Sequence, residues 1–245
     1  MRYLTKGWYL AMQGMDRHCL MKIDERAGTL SESFFQEVYR NAENKWLRTR
    51  RQVCRLMNIP VDEEKEKSRY HEMFVSGIER YEAILPEHIR SQIPDIRVLS
   101  LGFCTKEIRK LLEDLSAENK SYVERMVKQC TAAQRTSFAG ADDTLLNRFD
   151  FHDEQVLSFG PQDRDWVIDF GEYAGLYSQV RYLRFKNAVI LTLDGDLADA
   201  RWLYEELYKT ETGYELHILL DSRNGLLECV LTCDDILLEG ERSWC

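Results

Sequence analysis

A single change of hydrophobic period near residue 145 limits what this chain can fold into more than any other feature. Before it, apolar residues recur every three or four positions. From Val156 onward they come in short runs rich in β-branched and aromatic residues, separated by turn signals. A chain that switches period once, and has no long crossover helix in its second half, is expected to place a helical bundle before a mainly antiparallel sheet. That is an α+β class. The 245 residues suffice for two domains of ordinary size. The expected domains are 1–140, helical, and 148–245, an acidic antiparallel β domain, with the stretch Phe138 to Ser158 as the seam.

The helical half carries its own start and stop signals. Thr5 is a candidate N-cap, followed by Trp8, Met12 and Met15 at helical spacing. Ser33-x-x-Gln36 has the form of a capping box ahead of Phe35, Val38, Ala42, Trp46, Val53 and Leu56. That helix should end before Asn58-Ile59-Pro60, because the residue preceding a proline is pushed out of the helical region. A second helix from about Asp62, with Tyr70, Phe74, Ile78, Tyr81 and Leu85 on one face, runs to Pro86. Two such helices joined by a short loop form an antiparallel hairpin. Ile96–Leu101 is ambiguous, and Thr105 and Ser116 read as caps of two further helices, so the first half reads as all-helical.

In the second half, strands are expected around Val156–Phe159, Trp166–Phe170, Val180–Phe185, Ala188–Leu193, Tyr214–Leu220 and Leu226–Thr232. Asn224-Gly225 is a hairpin dipeptide. Trp202–Tyr208 has helix-favouring Glu and Leu, yet its residues also alternate in polarity. A Thr-Glu-Thr-Gly turn leads straight from it into Tyr214, which favours strand.

Charge divides at the same seam. Residues 1–147 hold 24 Lys/Arg against 22 Asp/Glu, and residues 148–245 hold 9 against 20, so −11 of the net −9 lies in the second half and +2 in the first. A field of that sign disfavours nucleic acid or an anionic membrane and favours a basic protein partner, although acidity for solubility gives the same composition. In the basic run Lys45, Arg48, Arg50, Arg51 and Arg55, folding the hairpin back is expected to bring Arg51 and Arg55 to Glu63, Glu64 and Glu66, which favours a salt-bridged helix surface over a nucleic-acid surface. No stretch approaches the roughly 18 apolar residues of a membrane helix. Gln13, Asp16, Arg17 and His18 break the opening before it can form a signal-peptide core. A cytoplasmic location is expected. The seven cysteines show no Cys-x-x-Cys pair and read as reduced, with Cys245 the most exposed.

Walker, dinucleotide and Gly-x-Ser-x-Gly motifs are absent from the sequence. His71-Glu72 begins like the zincin motif, but Val75 stands where the second histidine belongs. His18-Cys19 has no further metal-type residue at a useful interval and reads as structural. The constellation with chemical content is His152, Asp153, Glu205, Glu206, His217 and Asp221. Glu205 and Glu206 point to opposite faces of a strand, so at most one joins a site. The candidate metal ligands are His152, Asp153, Glu206 and His217, which would hold a divalent cation with positions open for water. Against that stands a structural role for His152-Asp153 at the head of the strand half. The expected function is a non-enzymatic protein-binding module with no cofactor; the alternative is a metal-dependent hydrolase using those four residues.

The opening Met1, Tyr3, Thr5, Lys6, Trp8 and Tyr9, with Phe151-His152-Asp153, Trp202-Leu-Tyr-Glu-Glu and Tyr214-Glu-Leu-His217, resembles a bacterial family of unknown function found among Firmicutes. The resemblance implies a bacterial, cytoplasmic protein with a helical N-terminal part and a C-terminal part similar to small immunity-type β domains. It implies no catalytic residues.

Overall fold

The computed structural model describes residues 1–171 and 180–241. It is an α+β fold, helices first and antiparallel sheets after. The chain divides into two compact units, Leu10–Tyr122 and a second made of Met1–Tyr9 with Val123–Cys245. This differs from the division at residues 140 and 148 expected from the period. Period reports secondary structure, whereas packing assigns the opening nonapeptide and the last part of a long helix to the sheets.

Helix α1 (Lys6–Gly14) starts at Thr5, whose Oγ1 accepts the Trp8 N–H at 3.2 Å. In the unit Leu10–Tyr122, a two-residue strand β1 (Lys22–Ile23) precedes α2 (Glu32–Leu56) and α3 (Glu63–Ile84). Ser31, rather than Ser33, caps α2 by accepting Phe34 N–H, and Asp62 caps α3 through Lys65 N–H. The two helices stop before the prolines, as the sequence requires. Arg51 pairs with Glu63 at 2.7 Å, while Arg50 and Arg69 converge on the buried carboxylate of Glu66. These guanidiniums outweigh the burial of Glu66 and hold its carboxyl below the usual range. Arg50 and Arg51 of the basic run are thus neutralised across the hairpin, whereas the expected pairing of Arg55 does not form among the described residues. Short helices α4 (Glu87–Arg90) and α5 (Ile96–Ser100) follow, the latter resolving the ambiguous apolar run.

Strand β2 (Phe103–Cys104) then pairs with β1 in parallel, Lys22 opposite Phe103, so the first half is not all-helical. Thr105 caps α6 (Lys106–Ser137), one continuous helix. Ser116 does not start a new one: it is buried, and its Oγ accepts the Asp16 N–H at 3.0 Å. An isolated serine inside a sustained 3.6-residue period does not break a helix. The core of this unit comprises Tyr81, Ile84, Leu99, Ile108 and Leu112 beside Phe34, Phe35, Val38, Phe74 and Val98.

After α7 (Thr144–Arg148) come β3 (Ser158–Gln162), β4 (Asp165–Asp169), β5 (Val180–Lys186), β6 (Val189–Leu193), β7 (Arg201–Lys209), β8 (Tyr214–Ser222), β9 (Gly225–Cys233) and β10 (Asp235–Glu241). They form two antiparallel sheets, ordered β10-β5-β4-β3 and β6-β9-β8-β7. Trp202–Tyr208 is strand, within β7. Strand β10 is not among the strands expected from the sequence. The Asn224-Gly225 hairpin joins β8 to β9, with Gly225 at a φ of 107° that a side chain would oppose. Ile168, Leu183, Phe185 and Ile236 of one sheet share a core with Trp202, Leu207, Leu216, Ile218 and Leu231 of the other. At about 25 cal/mol per Å² of apolar area removed from water, such inward-facing side chains contribute roughly 1.5–3 kcal/mol each.

Strand β7 lies at the edge of its sheet, where unpaired N–H and C=O groups invite further pairing. The seam covers that edge: Asp153 N–H donates to the Trp202 carbonyl, Trp202 N–H to Glu154, and Val156 N–H to Ala200, each at 2.8 Å. Lys209 N–H is met by Ser137 Oγ at 3.1 Å. The seam is therefore fastened along β7, and this fixes where His152 and Asp153 stand.

Candidate functional site

Successive side chains of a strand face opposite sides of its sheet. On β7, Glu205 lies opposite Ile218 and Glu206 opposite His217. A bulge between Trp202 and Tyr204 sets this phase, putting Trp202, Glu205 and Leu207 on the inter-sheet face and Tyr204, Glu206 and Tyr208 on the other. The two adjacent carboxylates consequently meet unrelated surroundings.

Glu206 is fully buried and hydrogen-bonded on all sides. Its carboxylate accepts the backbone N–H groups of Arg2 (3.1 Å), Tyr3 (2.9 Å) and Leu4 (2.6 Å), and the Tyr208 hydroxyl (2.7 Å). Burial, and then this bond, drive the Tyr208 hydroxyl pKa far up, while burial with the Glu206 charge beside it pushes the Cys130 thiol up to about 12. Arg2 pairs with Glu215 at 2.7 Å and lies over the Tyr208 ring, and Lys6 pairs with Asp194 at 2.7 Å. Trp8 donates to the Val123 carbonyl and meets Tyr204 edge-on, ring centroids 4.8 Å apart. The opening nonapeptide is thus a strap across the outer face of the sheet. The phrases around Tyr3–Tyr9, Trp202–Glu206 and Tyr214–His217 on which the family resemblance rested meet at this strap.

His217 belongs to the same face. Its Nε2 donates to Glu215 Oε1 at 2.5 Å, its Nδ1 is buried with no partner among the described residues, and its ring stands edge-on to Tyr208. Burial works to raise the Glu215 carboxyl, but the bonds from His217 and Arg2 prevail and hold it low.

His152 stands elsewhere, beside Glu205. Its Nδ1 donates to the Leu203 carbonyl, and its ring lies 4.9 Å from that of Tyr204. With Asp150, Leu203, Tyr204 and Glu205 it lines a cavity of about 330 Å³. Asp150 Oδ1 accepts the His152 N–H at 3.3 Å, and Trp202 Nε1 donates to Glu205 Oε2 at 2.6 Å. Burial pushes the Glu205 carboxyl up to about 8, the Trp202 bond opposing and the nearby Asp150 charge reinforcing it. Asp153 adopts φ 63°, a left-handed conformation uncommon outside glycine, and sits 3.8 Å from both His152 Nε2 and Arg201.

The four candidate ligands therefore fall into two neighbourhoods, His152 with Asp153 and Glu206 with His217, and they do not form a metal-sized cluster among the described residues. Glu205 rather than Glu206 accompanies His152. Asp221 pairs with Arg201 at the far end of β7. Asp150 and Tyr204 are not among the candidate residues named from the sequence, although Asp150 lies within the seam and Tyr204 shares the strand alternation that separates the two glutamates. A wider cleft of about 640 Å³, lined by Lys6, Asp194, Asp196, Asp199 and Arg223, is of mixed charge.

No helix among the described residues is long and apolar enough to cross a membrane. No curated protein and no solved structure matches the chain. The family described as Protein of unknown function (DUF4085) matches residues 50–225, most of its length, and the chain belongs to that family.

Proposed function

We propose that the sheet-containing unit is a non-enzymatic protein-binding module, and that the cavity beside β7 receives a cationic side chain of a basic partner. One observation carries this reading: Asp150 and Glu205 share a concave site with the rings of His152 and Tyr204. Two carboxyl groups beside an aromatic face suit a guanidinium or ammonium group, through charge-assisted hydrogen bonds and cation–π attraction. The excess of 20 acidic over 9 basic residues in 148–245 supports it, because a field of that sign speeds encounter with a basic surface. A bacterial, cytoplasmic setting and a likeness to small immunity-type β domains belong to the same proposal. The hydrolase alternative has less support, since Glu206 is already engaged by four donors.

Anisotropy titration of a labelled arginine-rich peptide at low and high salt tests the reading. Saturable binding that weakens with salt is expected, together with a loss of about tenfold or more in an Asp150→Asn/Glu205→Gln double variant. An Asp163→Asn/Glu211→Gln variant makes the same two kinds of substitution at exposed sites and should bind nearly as well as the parent. Equal loss in both variants, or no binding at either salt, overturns the proposal. Because an arriving cation favours ionised Glu205, affinity should also rise with pH up to about 8.

A further inference from the structure

The loop after α1 brings together three side chains of different chemistry. Ligand atoms of Asp16, His18 and Cys19 lie within 4.8 Å of one another, the only such group of His, Cys, Asp and Glu among the described residues. Their spacing in sequence gives no metal motif, and the backbone supplies what the spacing lacks. Asp16 sits in the left-handed region at φ 57°, ψ 10°, and a 3-10 turn over Arg17–Leu20 follows it. Cys19 N–H donates to the Asp16 carbonyl at 3.0 Å and Met21 N–H to that of His18 at 3.1 Å, so the turn is closed at both ends. Asp16 N–H is anchored on Ser116 Oγ. A non-glycine residue at positive φ carries a conformational cost; here it aims the carboxylate back over the turn.

The remaining contacts leave this trio available. Arg17 turns away from Asp16, its Nε donating to the Gln13 carbonyl and its guanidinium lying over Tyr81. The Asp16 carboxylate makes no hydrogen bond or ion pair among the described residues. His18 Nδ1 is buried, so Nε2 is the nitrogen at the surface, 3.3 Å from Cys19 Sγ. A tetrahedral zinc ion, with Zn–S of about 2.3 Å and Zn–N of about 2.0 Å, sets those two donors about 3.5 Å apart. Asp16 and Cys19 are exposed, which gives an ion a path in. Thiolate, imidazole and carboxylate together favour a borderline divalent transition metal over calcium or magnesium.

We propose that Asp16, His18 and Cys19 form a three-ligand site for such a metal, zinc by donor chemistry, with water completing the tetrahedron. On binding, Cys19 gives up its thiol proton to solvent and the metal–sulfur bond forms, with no change of oxidation state. The site is separate from the β7 cavity and independent of the binding role proposed for it.

The full chain, prepared without a polyhistidine tag and stripped with chelator, would be titrated with Co²⁺ and then Zn²⁺. One equivalent of Co²⁺ should produce thiolate-to-cobalt charge-transfer absorption, which Zn²⁺ displaces. Cys19→Ser should abolish that absorption. Asp16→Asn, which keeps the shape of the side chain, should weaken binding about tenfold or more with unchanged circular dichroism. Absence of the absorption in the parent, its survival in Cys19→Ser, or unaltered affinity in Asp16→Asn would each overturn the proposal.

Discussion

Glu205 and Glu206 are neighbours in sequence with the same side chain, yet they occupy opposite kinds of site. Glu206 is fully buried, and its cost of burial is met by three amide donors and a hydroxyl from the opening strap and Tyr208. Glu205, partly buried, accepts one bond from Trp202 and lines a cavity, and burial raises its carboxyl to about 8. A buried carboxyl with its full set of donors is a structural anchor, whereas one with a single donor and an open side is poised to meet a ligand or a proton.

The largest expected effect breaks the anchor. Glu206→Ala strands three backbone amides and the Tyr208 hydroxyl without their acceptor, and should cost roughly 3–5 kcal/mol in urea unfolding. Glu206→Gln keeps one acceptor oxygen and should cost clearly less. A loss below about 1 kcal/mol in the alanine variant would mean that the strap is held by other contacts.

Glu205 should respond in another variable, pH. Its pKa is raised from 4.5 to about 8 in the folded protein, so between those values the folded state binds more protons than the unfolded state. Stability then falls as pH rises, by at most about 1.4 kcal/mol per unit from this group. Glu205→Gln cannot titrate and should flatten the difference between unfolding at about pH 5.5 and about pH 7.5. If parent and variant show the same pH slope, Glu205 is not held protonated, and the contrast between the two glutamates weakens.

The opposed facing of this pair was legible in the sequence, because alternation alone separates adjacent strand residues. Which of them belongs with His152 was not. The bulge between Trp202 and Tyr204 and the fastening of the seam along the edge of β7 decide it, and both depend on pairings distant in sequence. The caps at Thr5 and Thr105 were readable because each acts within three residues. Ser116 misled for the complementary reason: its partner is the Asp16 amide, far away in the chain. His18-Cys19 read as structural because a left-handed residue, not a ligand spacing, brings Asp16 to them.

A smaller effect probes how the strap begins. Thr5→Ala removes the oxygen that accepts Trp8 N–H and should lower stability by about 1 kcal/mol, the usual value of an N-cap. Glycine at this position should recover most of the loss, since it leaves the amide open to water.

The smallest separates the strap's backbone grip from its side-chain charges. Arg2 is about half exposed; its guanidinium meets Glu215 at 2.7 Å and lies 4.2 Å from the centre of the Tyr208 ring. An exposed ion pair contributes about 0.2–1 kcal/mol and an exposed cation–π contact a similar amount, both weakened by salt. Arg2→Ala should therefore cost about 1 kcal/mol or less at low salt, and less again at high salt. The amide of residue 2 remains on Glu206 whatever side chain it carries, so the variant keeps the anchor while losing the charge. A cost approaching that of Glu206→Ala would show that side-chain charge, rather than buried amide capture, holds the opening of the chain to the sheet.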